Sequence, residues 1–191
     1  LITNNTLRRL PYLLLLGVLL SSVLNPKASA NTALLEQPVT PAPQSLLIGA
    51  QWFSTQKSLS LPEAQTLFQS NKATVRHTSQ TYLHLNNTDQ TYWIQQTIST
   101  EGHSTSQHLH LVLDRQYPQF DHVDLYVATD WEPPTHFQQS DRLDTPGSDT
   151  QSRIMSFPIT LKASKRYTIT LAIKNRAQQS LALRLMEPEQ F

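Results

Sequence analysis

Cysteine is absent from the 191 residues, and glycine occurs only four times. The first absence excludes a disulfide framework and any thiolate metal site. The second leaves too few residues of free φ for the corners of a turn-rich chain, so Asn, Asp and Ser must carry the tight ones. An excess of one charge is lacking too, with 15 Lys and Arg against 14 Asp and Glu. Missing as well are a Gly-x-Ser-x-Gly elbow, a phosphate-cradling glycine loop and a His-Glu-x-x-His helix. No catalytic machinery, no metal site and no cofactor is therefore expected. No apolar run reaches the ~20 residues that cross a bilayer.

The nearest thing to such a run lies at the start, in "RRLPYLLLLGVLLSSVLNPKASA". Arg8 and Arg9 precede an apolar stretch from Leu10 to Leu24, and Ala28-Ser29-Ala30 follows. A positive start, a short hydrophobic core and a small-x-small site read as a secretory signal peptide over residues 1–30. Its removal takes Arg8, Arg9 and Lys27 from the 15 basic residues, leaving 12 against 14 acidic ones. The mature chain then carries no basic stripe, which excludes nucleic acid as a partner. Residues 31–47 follow as a proline-rich linker, with Pro38, Pro41 and Pro43 favouring extended backbone that orders only by docking.

From residue 48 the pattern becomes that of one domain. "SLSLPEAQTLFQS" predicts a two-turn helix, with Ser60 and Glu63 as a capping box and Pro62 in the first turn. Leu67 and Phe68 give it a narrow apolar edge, too little for it to stand without a sheet beneath. Period-two alternation marks the rest. Tyr92, Ile94 and Ile98 share one face of a strand; Leu109, Leu111 and Leu113 another; Val123, Leu125 and Val127 a third. Met155, Phe157, Ile159 and Leu161, then Tyr167, Ile169, Leu171 and Ile173, then Leu181, Leu183 and Leu185 repeat the pattern. Weaker strands are expected at 82–85 and 136–139. About eight short strands without helical crossovers predict an all-β, antiparallel sandwich or jelly roll with one short helix.

The order of these pieces carries a resemblance. "LSLPEAQTLF", "YWIQQTI", "FDHVDLYV", the polar stretch "SDRLDTPGSDTQSR" and the pair "FPITLKASKRYTITLAI" and "LALRLMEPEQF" follow one another over residues 48–191. The chain resembles the type-two extracellular sensor domain of bacterial seven-transmembrane receptors with diverse intracellular signalling modules. The resemblance implies an all-β fold similar to carbohydrate-binding modules, held at the periplasmic face of the inner membrane. It implies a seven-helix bundle due where "EPEQF" stands, and beyond it a cytoplasmic output such as a diguanylate cyclase or histidine kinase. Two positions depart from the pattern: Ser140-Asp141 replaces Gly-Asp, and Gln95 or Gln96 stands where an arginine is usual. Arg153 matches.

Seven residues form the candidate ligand-binding set: Trp93, Gln95, His108, His110, Tyr126, Asp141 and Arg153. Trp93 lies opposite Ile94 on its strand, so it either faces a groove, where it could stack on a sugar ring, or packs against protein. His108 and His110 share a strand face, but zinc needs three or four converging ligands, and a solvated sheet accounts for them more simply. Asp141 and Arg153 would orient the polar loop. The function expected is a non-catalytic, periplasmic ligand-sensing domain, its partner a small molecule, carbohydrate included, or a periplasmic protein, with the membrane reached through downstream helices. The alternative is a free-standing secreted carbohydrate-binding or adhesive β-domain, which requires Trp93 to be exposed.

Overall fold

A computed structural model describes residues 36–39, 43–70, 74–86, 89–115, 120–140, 154–175 and 177–190. The six strongly alternating segments form long strands: β6 (Gln90–Ser99), β7 (Gln107–Arg115), β8 (Phe120–Ala128), β10 (Ile154–Leu161), β11 (Arg166–Asn175) and β12 (Gln179–Met186). The weaker pair appears as β5 (Leu83–Leu85) and β9 (Thr135–Gln139). Four strands go beyond the eight expected: β1 (Gln37–Pro38), β2 (Gln44–Ser45), β3 (Gln51–Thr55) and β4 (Arg76–His77). Three of these are two residues long, too short to express a period.

Two sheets result. A seven-stranded sheet runs β4-β3-β6-β11-β8-β9, with β1 parallel to the end of β6. A five-stranded sheet runs β10-β7-β12-β2, with β5 also on β12. Apart from β1, every pairing is antiparallel. The alternating apolar residues of both sheets meet in one core, including Ile94, Leu125, Ile169 and Leu171 from the first and Leu111, Leu113, Phe157 and Leu183 from the second. The architecture is thus a mostly β sandwich with one short α-helix, as the alternation predicts.

Val39, Leu46 and Leu47 are buried in the same core, so the stretch around β1 and β2 contributes to both sheets. The scarcity of glycine is met as its composition requires. Gly49 and Gly102 take positive φ, and so do Asp89 (63°) and Ser164 (54°). Ser164 turns β10 into β11, where its N–H donates to the Thr100 carbonyl at 3.2 Å.

Helix α1 (Leu61–Gln69) begins as its sequence dictates. The Glu63 carboxylate accepts from the Ser60 backbone N–H at 2.7 Å and the Ser60 hydroxyl at 2.6 Å. The helix lies on the outward face of the seven-stranded sheet. There Ala64 and Phe68 join Phe53, Trp93 and Ala172 in a second, smaller apolar cluster. The rings of Phe53 and Phe68 meet with centroids 4.9 Å apart.

Candidate functional site on the outward face of the seven-stranded sheet

Strand register decides which side chains stand together on this face, because residues directly opposite share a side of the sheet. One row runs Gln51, Gln95, Thr170, Tyr126, His136, and the next runs Phe53, Trp93, Ala172, Asp124, Gln138. The first row is polar from Gln51 to Thr170, whereas the second grades from apolar beneath α1 to polar at β8 and β9.

At the polar end the side chains are joined. Asp124 is the hub, with Oδ1 2.8 Å from His136 Nε2 and Oδ2 2.9 Å from His122 Nε2. Gln138 Nε2 lies 2.9 Å from the same His122 nitrogen. The His136 ring stacks on Tyr126 with centroids 4.5 Å apart and planes within 7°. Asp124 is 18% exposed and His136 45%, so the carboxylate sits low between two imidazoles that water and solutes can reach. Burial, and behind it the Asp124 charge, raises the Tyr126 hydroxyl above the ordinary phenol value, so it stays a neutral donor at all physiological pH.

The group offers carboxylate lone pairs, two imidazoles, an amide and a flat aromatic ledge. That is chemistry for holding a small polar molecule. Among the described residues no group of three His, Cys, Asp or Glu is arranged to hold a metal ion.

Trp93 adjoins this group on the second row but is 2% exposed, covered by α1. Both readings of its position contain part of the answer: it points outward from the sandwich, and a helix packs over it. Its burial removes the exposed platform that a free-standing carbohydrate-binding domain would need at this residue. The indole Nε1–H is itself buried without a hydrogen-bond partner among the described residues. A buried donor left unpaired costs about 1–3 kcal/mol, so this one calls for an explanation.

The candidate set from sequence divides in three. Trp93, Gln95 and Tyr126 come together on this face, Gln95 buried and donating to the Thr170 hydroxyl at 3.2 Å. His108 and His110 lie on β7, on the outward face of the other sheet, where exposed His108 Nδ1 is 3.2 Å from the Thr160 hydroxyl. Asp141 and Arg153 fall outside the described residues, as does the signal segment.

Sequence reasoning missed His122, Asp124, His136 and Gln138. The signal was present, since the alternation that turns Val123, Leu125 and Val127 inward turns His122, Asp124 and Tyr126 outward together. It also missed Trp131, 90% exposed in the loop between β8 and β9. That loop is fastened by the Glu132 carboxylate, 3.0 Å from Lys162 Nζ and 2.9 Å from Lys165 Nζ.

No curated protein matches the chain. The family model described as 7TMR-DISM extracellular 2 matches residues 50–187, a span that takes in β3 through β12, α1 and every residue of the Asp124 group. On that match the chain belongs to the 7TMR-DISM extracellular 2 family, the extracellular sensor domains of a class of membrane receptors.

Proposed function

We propose that the chain is a non-catalytic ligand-sensing domain working at the periplasmic face of a bacterial inner membrane, exported by residues 1–30. Its ligand is a small polar molecule, with carbohydrates the first class to try, and it docks on the outward face of the seven-stranded sheet. One observation carries the reading: Asp124, His122, His136, Gln138 and Tyr126 form one connected, solvent-reachable group on a single face of a sensor-family domain.

A ligand there would signal by favouring one of two orientations of the domain relative to the receptor's membrane helices, and only a difference in affinity between the two shifts their populations. Such helices, and a cytoplasmic output driven by them, belong to the proposal.

The test is a thermal-shift screen of the purified chain against mono- and oligosaccharides, amino acids and other small polar metabolites. Binding to the folded form raises the melting temperature, since ligand at 100 times Kd adds about 2.7 kcal/mol. The proposal expects a hit whose shift disappears in Asp124→Asn and His136→Ala and survives in His108→Ala. A hit lost only in His108→Ala would place the site on the other sheet.

A further inference from the structure

We propose that α1 is a displaceable lid over a closed part of the ligand site. The floor of that part is Trp93 with Phe53 and Ala172, and it takes a neutral ring about the size of one sugar unit that presents an acceptor oxygen to the Trp93 indole N–H. The inference rests on the ligand-sensing reading and deepens it, by naming what the covered half of the face is for.

Three observations support it. The Trp93 N–H is a buried donor with no acceptor among the described residues. Buried polar groups are almost always satisfied, and an exception calls for a partner outside the chain, such as water, an ion or a ligand, or for a functional role. A ligand oxygen would supply the acceptor.

The second observation is how α1 is held. It buries only Ala64 and Phe68, with Leu59, Leu61 and Leu67 partly buried around them, in a cluster separate from the main core. Among the described residues, the side-chain hydrogen bonds of the helix and its caps stay internal: Ser60 to Glu63, Thr66 to the Pro62 carbonyl and Ser70 to the Leu67 carbonyl. Among the described residues, apolar contact is therefore what fastens the helix to the sheet. Contact of that kind is non-directional and can be broken locally without opening the strand ladders beneath.

The third is continuity. Trp93, Ala172 and Asp124 are consecutive across β6, β11 and β8, and Tyr126 packs against the cluster under α1. Tyr126 makes no hydrogen bond through its hydroxyl among the described residues, although its ring stacks on His136. A ring lying over Ala172, the small residue of the row, would have the Trp93 donor on one side. The Asp124 carboxylate and Tyr126 hydroxyl would flank it on the other. When α1 lifts, the covered and open halves become one site.

The absence of cysteine supplies the experiment. Ala64→Cys places a single thiol beneath α1, and Ala50→Cys places one in the main core; both alanines are fully buried. Each variant is treated under native conditions with an aromatic disulfide reagent that reports thiol modification by absorbance. The lid predicts that the Ala64→Cys thiol reacts at least ~100-fold faster than the Ala50→Cys thiol, because local opening is more frequent than global unfolding. Equal rates would overturn it.

Hydrogen exchange on the unmodified chain guards against either variant misfolding. The lid predicts that amides in 64–69 exchange well before those of β6 and β11, and simultaneous exchange would overturn it. Failure here, alongside a saccharide hit in the thermal-shift screen, removes the lid and leaves the sensor. A fast Ala64→Cys thiol with no hit leaves the lid and removes the ligand assignment.

Discussion

On the outward face of the seven-stranded sheet, Phe53, Phe68, Trp93, Ala64 and Ala172 bury one another beneath α1, and Asp124 gathers His122 and His136 beside them. On the outward face of the five-stranded sheet, polar residues stand in separate pairs: His108 with Thr160, Ser180 with His84, and Arg184 with Asp114 at 3.4 Å. Both faces derive from the same alternation. Among the described residues they differ in that an α-helix packs on the first and none packs on the second. A helix on a sheet turns part of its outer face into a second core, and the polar residues at the border of that core are partly desolvated. Partial desolvation strengthens their mutual attraction, whereas the exposed pairs opposite are screened by water and salt.

The comparison can be broken most forcefully at Trp93. Trp93→Ala empties the covered cluster and is expected to cost about 3–5 kcal/mol, while His108→Ala on the other face stays within about 0.5 kcal/mol. Urea unfolding of the two variants measures both. A Trp93→Ala loss below 1 kcal/mol would mean that the second core is not packed as described.

Asp124→Ala comes next, at about 1–2 kcal/mol, because two imidazoles lose their shared acceptor. Arg184→Ala removes an exposed ion pair and should cost under about 0.5 kcal/mol. If the two losses were equal in the same urea measurement, the connected group would be no more than another surface pair.

Ser60→Ala tests the helix itself. Loss of a cap residue costs about 1 kcal/mol, and here it should speed exchange of the α1 amides while leaving those of β7 and β12 unchanged. Uniform acceleration would tie the helix to the global fold.

The smallest effect is a pH dependence. The Ser60 hydroxyl and then the Ser60 backbone N–H hold the Glu63 carboxyl below its ordinary value of 4.5. Lys165 and then Lys162 do the same for Glu132. A carboxyl lowered in the folded state stabilises above its unfolded value and loses that contribution as pH falls through the folded one. Stability should therefore decline slightly as pH drops below about 4.5, and Glu63→Gln should flatten part of the decline. A steeper decline in Glu63→Gln would reverse the assigned sign.

The inward halves of the strands were legible because a buried face must be apolar and a strand has period two. Leu109, Leu111 and Leu113 could hardly face anything but a core. The helix was legible from its cap, since Ser60 and Glu63 are spaced to satisfy each other. The site was legible only in pieces. Asp124 and His136 are 12 residues apart, and nothing local says that β9 returns beside β8 in the register that sets Tyr126 opposite His136. Trp93 was ambiguous for a related reason. Its direction follows from alternation, but its cover depends on where a nine-residue helix docks. His108 and His110 stand out as a pair only because they are close in sequence, and sequence proximity is a poor guide to which sheet face a site occupies.

Hydrogen-exchange mass spectrometry of the chain with and without a saccharide hit from the screen tests the central claim most directly, that the helix-bearing face is the sensing face. The account predicts slowed exchange in β8, β9 and α1, with β7 and β12 unchanged. Slowing confined to β7, β10 and β12 would contradict it.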